Sequence, residues 1–155
     1  TAMANETPAP DLKGPVTRAD LESPTFPWMK DGEKKAAAEY AKKSKEVAKV
    51  AKGLGATDIE VYLGTWCGDS HDQVPPFVAL LDAAKKSAKA EPKSLKFVAL
   101  DRRKTHDGYT NSRKIEKLPT FVFLRDGSEI GRIVETPTKS ILDDTLAIVT
   151  DGAGK

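Results

Sequence analysis

The stretch Asp58-Ile-Glu-Val-Tyr-Leu-Gly64-Thr65-Trp66-Cys67-Gly68-Asp69-Ser70-His71 changes character halfway along, and that change decides how the whole chain is read. Its first half is β-branched and aromatic and reads as a strand. Its second half leads into a segment in which Val74, Phe77, Val78, Leu81 and Ala84 recur at helical spacing, with Pro75 and Pro76 expected to kink the early turns. Cys67 therefore stands where a strand ends and a helix begins. Backbone N–H groups at a helix N-terminus favour an anion and so stabilise a thiolate, and Gly68 lets the chain turn tightly beside it. His71, one turn on, adds positive charge when protonated; the Asp69 carboxylate opposes the thiolate while capping the helix. On position alone two readings stand: an activated thiol suited to disulfide exchange, and a buried, inert cysteine.

Outward from this junction the pattern alternates. Glu33 to Leu54 is rich in Ala, Lys and Glu and reads as one helix, with Tyr40, Val47, Val50, Ala51 and Leu54 on one face and Gly53 and Gly55 as the stop. Its lysines (Lys42, Lys43, Lys45, Lys49 and Lys52) are interleaved with glutamate and read as a solvated face. Leu95 to Asp101 is a second buried strand, and residues 106–116 are weakly periodic, a short helix or loop. Pro119-Thr-Phe-Val-Phe-Leu124 and Glu129-Ile-Gly-Arg-Ile-Val-Glu135 flank Asp126-Gly127, the strongest short-range signal for an antiparallel hairpin. Thr138 is the expected cap of a last helix, Lys139 to Val149. The expected order is α-β-α-β-α-β-β-α.

Residues 1–32 hold Pro8, Pro10, Pro15, Pro24 and Pro27, half of the chain's 10 prolines, and read as an extended arm ahead of a domain over 33–152. The Phe26-Pro27-Trp28-Met29 patch is expected to pin the arm to the domain rather than to dock a partner. The chain opens Thr1-Ala2-Met3 without a signal peptide, which fits a cytosolic protein or a mature secreted one, and the tail of small residues and prolines favours the second. At 155 residues, 39% apolar and 31% charged, the chain has the size and composition of one ordinary domain. A balance of 25 Lys+Arg against 23 Asp+Glu argues against nucleic acid as a partner, and no apolar run reaches membrane-spanning length. One cysteine excludes an intramolecular disulfide, a Cys-x-x-Cys pair and a cysteine-cluster zinc site.

Trp66-Cys67-Gly68-Asp69-Ser70 resembles the Trp-Cys-Gly-Pro-Cys site of the thioredoxin family, with Asp69 for the usual proline and Ser70 for the second cysteine. Pro75 matches the proline in that family's active-site helix, and Leu118-Pro119-Thr120 with the hairpin after it is similar to the family's cis-proline segment. The resemblance spans about residues 33–150. It implies a thioredoxin-like α/β fold: a central mixed sheet flanked by helices, here with the N-terminal arm. It also implies a cis Pro119 lying against Cys67, catalytic roles for Cys67, Ser70 and Trp66, and a substrate-facing surface of Gly68, Asp69, His71, Leu118, Pro119 and Thr120. Ser70 is expected to hydrogen-bond the thiolate. Three departures qualify the likeness: no second cysteine resolves a mixed disulfide, Val61 stands where the family has a buried acid, and Glu135 stands where it has a glycine.

The resulting expectation is a monomeric monothiol oxidoreductase without cofactor or bound metal. Its partners would be protein or glutathione disulfides and an external reducing thiol. The alternatives are a non-catalytic binding module using the same groove and a carrier of a soft metal held by Cys67 and His71. The carrier needs a third ligand, and His106 is the only other histidine. Asp101 and the run Arg102-Arg103-Lys104 follow a strand end, where α/β sheets place ligands, but a solvated loop explains them.

Overall fold

Where the chain's backbone hydrogen bonds go determines which of these expectations hold. The computed structural model describes residues 9–103 and 112–153. In chain order they form β1 (Gly14–Val16), α1 (Arg18–Leu21), α2 (Pro27–Tyr40), α3 (Ser44–Leu54), β2 (Asp58–Leu63), α4 (Gly68–Ala88), β3 (Ser94–Ala99), β4 (Thr120–Arg125), β5 (Ser128–Val134) and α5 (Ile141–Ala153). The five strands make one sheet in the order β1-β3-β2-β4-β5. β2 and β3 run parallel, with Val61 opposite Phe97, and β1, β4 and β5 each join antiparallel. This is the expected thioredoxin-like α/β fold, a mixed sheet flanked by helices.

Side chains alternate across the sheet and so divide the core in two. Ile59, Val61, Leu63, Phe121, Phe123 and Ile133 join the apolar faces of α2, α3, α4 and α5 in one cluster. Phe77 of α4 sits against Phe121 and Phe123 at ring-centroid distances of 4.6 and 5.8 Å. On the opposite face Tyr62, Val98, Leu100, Val122 and Leu124 meet Ile115 and Leu118, with Trp66 and Cys67 packed at the margin. Asp126 and Gly127 both take positive φ (52° and 82°), the tight two-residue turn that the Asp-Gly signal implies.

Four expectations are corrected. The single helix over 33–54 is two, α2 and α3, separated by Ala41-Lys42-Lys43. No glycine or proline marks that break; it turns α3 so that Val47, Val50, Ala51 and Leu54 reach the core. Residues 9–32 are not simply extended. Pro15 lies in the edge strand β1, where a missing N–H is tolerated, and Pro27 opens α2 at its first turn, where proline is favourable. Between them Thr17 and Asp20 cap α1 reciprocally, and α2 then crosses the expected 32/33 boundary. The last helix starts at Ile141 rather than Lys139: Ser140 Oγ accepts the Asp143 N–H at 2.9 Å, while the Asp144 carboxylate accepts from the Thr138 and Lys139 amides. Of the segment 106–116, residues 106–111 lie outside the described residues, and a short helical turn is present at 112–114. Pro75 and Pro76 both fall inside α4, which continues through them. Phe26 and Met29 are buried, so the patch does pack onto the domain.

Candidate active site around Cys67

The site assembles at the C-terminal end of β2, where the chain leaves the sheet and enters α4. Cys67 is the N-cap of α4, with extended backbone (φ −93°, ψ 122°), and it is half-buried. Its amide donates to the Gly64 carbonyl at 3.0 Å, and its own carbonyl accepts the His71 N–H at 3.0 Å. The thiol is therefore fixed at the end of α4 that carries unpaired N–H groups. Across from it runs Leu118-Pro119, joined by a cis peptide bond as expected, and the Leu118 carbonyl oxygen lies 3.7 Å from Cys67 Sγ. Leu118, Pro119 and Thr120 are all buried, and Thr120 Oγ1 donates to the Lys117 carbonyl at 2.7 Å.

Trp66 is half-exposed beside the thiol. Its Nε1–H donates to the Leu100 carbonyl at 2.8 Å, and a Cβ at Gly64 would stand 2.8 Å from the indole, so only glycine leaves room for the ring. The Arg102 guanidinium lies 5.6 Å above the ring centroid and pairs with Asp11 at 3.2 Å. Gly68 is exposed and Asp69 half-buried on the first turn of α4.

Two residues sit differently from the expectation. Ser70 is fully buried, and its Oγ accepts the Gly64 N–H at 3.0 Å. Its contact is thus with the end of β2, because the first turn of α4 aims position 70 inward. His71 Nε2 is 2.6 Å from the Thr65 carbonyl; a carbonyl only accepts, so Nε2 carries the proton. The ring stacks on Trp28 at 4.2 Å with 18° between planes. The imidazole thus braces the loop before Cys67, and the thiol's sulfur-to-oxygen neighbour is the Leu118 carbonyl. For the metal-carrier reading, this leaves His71 engaged elsewhere, and His106 lies outside the described residues. Among the described residues no cluster of three or more His, Cys, Asp or Glu has metal-binding spacing.

Sequence reasoning missed the support around the loop. Thr65, 4% exposed, accepts the Leu12 N–H at 3.1 Å and donates to the Pro10 carbonyl at 3.2 Å. Those contacts link residues more than 50 positions apart, and no local signal announces them. Val61 is completely buried among apolar side chains. Glu135, by contrast, holds a positive φ of 64°, and its N–H donates to the Pro119 carbonyl at 2.7 Å. The chain there takes the conformation that glycine prefers without having a glycine.

No protein-family model matches the chain, and no curated protein matches it. Solved structures do. A protein of unknown function from Pseudomonas aeruginosa superposes with a TM-score of 0.50 at 17% identity, covering 77% of this chain and 85% of that one. Thioredoxin from Fasciola hepatica is similar at 22% identity and a TM-score of 0.41, covering 62% of this chain and 83% of its own. Mitochondrial thioredoxin 3 from Saccharomyces cerevisiae, in its oxidised form, is similar at 26% identity and 0.37, with coverages of 54% and 72%. At 17% identity the likeness to the Pseudomonas aeruginosa protein speaks to fold and not to activity. No described helix is long and apolar enough to cross a membrane.

Proposed function

We propose that the chain is a monothiol thiol–disulfide exchange protein acting through Cys67. The observation that carries this reading is a half-exposed thiol at the N-cap of α4, 3.7 Å from the Leu118 carbonyl of an opposing, buried segment. The thiolate of Cys67 attacks one sulfur of a protein or glutathione disulfide. A bond forms between Cys67 and that sulfur, the substrate's S–S bond breaks, and the second sulfur leaves as a thiolate carrying the electron pair. An external thiol then attacks the mixed disulfide at the substrate's sulfur, takes that sulfur into a new disulfide, and returns Cys67 as thiolate. Trp66 and Pro119 wall the groove. Ser70 supports the loop through Gly64.

A second reading is a binding module that holds a partner in the same groove without turnover. It is favoured by the single cysteine, which leaves no internal sulfur to expel a bound partner. Insulin reduction by dithiothreitol separates the two. The chain as it stands is expected to accelerate it little, and Ser70→Cys is expected to accelerate it clearly, because position 70 lies across the first turn of α4 from Cys67. Asp69 and Val61 keep that rate below a dithiol protein with a buried acid. An inactive Ser70→Cys that still folds favours the binding module.

A further inference from the structure

We propose that Glu135 makes the Cys67 groove selective for disulfide segments that carry a basic side chain next to the reacting sulfur. The inference rests on the exchange reading above and adds a substrate class to it. It begins from the backbone. Four described residues other than glycine take positive φ: Lys89, Lys114, Asp126 and Glu135. Lys89 closes α4, Lys114 ends the short helical turn and Asp126 forms the hairpin turn, all places where the left-handed region is ordinary. Glu135 does none of these. It follows β5 and is tied by its N–H to the Pro119 carbonyl, one residue from the Leu118 carbonyl that faces Cys67 Sγ. A glycine would hold that backbone at less cost, so the position keeps a side chain against its conformational preference.

The charges along this rim of the sheet are uneven. In spatial order the strand ends present Asp101 and Arg102 after β3, Trp66 and Cys67 after β2, Pro119 before β4 and Glu135 after β5. At the first end Arg102 pairs with Asp11 and Asp101 with Lys13, so the N-terminal segment offsets both charges. At the other end the half-buried Glu135 has no side-chain partner among the described residues. Beside it Val134, opposite Thr120 in the hairpin, is the exposed large hydrophobic residue of the described chain at 41%. Asp69, on the first turn of α4, adds a second carboxylate near the thiol. An extended segment lying across Cys67 thus meets an apolar and anionic rim on the Glu135 side. A lysine or arginine fits it, and a carboxylate is repelled. Lys117, exposed just ahead of Leu118, opposes this field, so the selectivity is measured against a Glu135 variant rather than as an absolute preference.

The test uses two synthetic peptides, each with one cysteine held as a mixed disulfide with thionitrobenzoate, flanked on both sides by lysine in one and by glutamate in the other. Attack by Cys67 forms the Cys67–peptide disulfide, breaks the peptide–thionitrobenzoate bond and releases the coloured thionitrobenzoate anion. The lysine-to-glutamate rate ratio is expected to be about 1.5- to fivefold higher in the wild type than in Glu135→Gln at low ionic strength, and to converge as salt is added. Glu135→Gly, which suits the local backbone, is expected to match Glu135→Gln. Equal ratios in the wild type and both variants overturn the selectivity while leaving the exchange reading intact. Release from neither peptide by the folded wild type overturns the exchange reading and the selectivity with it.

Discussion

Besides the pairing of β1 with β3 and the ion pairs of Asp11 and Lys13, two further contacts tie the N-terminal segment to the domain, and different forces act at each. Beside Cys67 the hydroxyl of the buried Thr65 binds Pro10 and Leu12 through neutral groups, and the Thr65 carbonyl accepts from His71. At α1 one guanidinium, Arg18, reaches the carboxylates of Asp82 in α4, Glu33 in α2 and Glu22. Three acids around one cation cannot all be equally content. Burial first, and then the hydrogen bond to Glu22, pushes Glu33 up to about 7, against the pull of Arg18. For Glu22 the bonds from Glu33 and Arg18 outweigh burial, and its carboxyl is held below the usual range. The bonds of the Thr65 hydroxyl brace the thiol's loop with no charged partner of their own. The ionic anchor at Arg18 carries the pH dependence that Glu33 introduces.

The largest expected effect comes from breaking the charged anchor. Arg18→Ala leaves Glu33 and Glu22 facing each other without a cation, and we expect a loss of about 2 kcal/mol, reduced from the fully buried case because Arg18 and Asp82 are partly in water. The midpoint of urea unfolding measures it. Next is the pH profile. The native-state value near 7 for Glu33 lies above its ordinary 4.5, so the folded chain binds the extra proton between them. The associated stability is complete below 4.5 and is lost as pH rises through 7. The wild type is therefore expected to melt several degrees lower at pH 8 than at pH 5, at about 2–4 °C per kcal/mol for a chain this size. Glu33→Gln removes that step; a calorimetric melt unchanged between the two pH values breaks the contrast. Smaller is Thr65→Val, expected to cost about 1 kcal/mol through the lost bonds to Pro10 and Leu12. Because no titrating group takes part, that cost is expected to be the same at pH 5 and pH 8, as unfolding at both would show.

The two anchors also mark how far the sequence could be read. The hairpin was legible because Asp126-Gly127 encodes its turn locally, and α4 was legible because its apolar face repeats over several turns. Cys67 and Pro119 were recognisable as a motif, and Glu135 as a departure from one. What the chain does not advertise is long-range partnership. His71 was expected near the thiol, but its position relative to Trp28 and Thr65 depends on how α2 crosses α4. Proline density suggested an extended arm because proline blocks helix interiors, yet Pro27 starts a helix and Pro15 lies on a sheet edge. The break between α2 and α3 has no glycine or proline to announce it. Tertiary packing decides it.

The central claim is that Cys67 reacts in the folded state. Intact mass measurement after exposure of the native chain to glutathione disulfide tests it most directly. The account predicts a single glutathionyl adduct, located on Cys67 by peptide mapping, reversed by dithiothreitol and absent in Cys67→Ala. A chain that stays unmodified while folded and takes the adduct only after unfolding in urea would contradict it, and would make Cys67 an inert, packed cysteine.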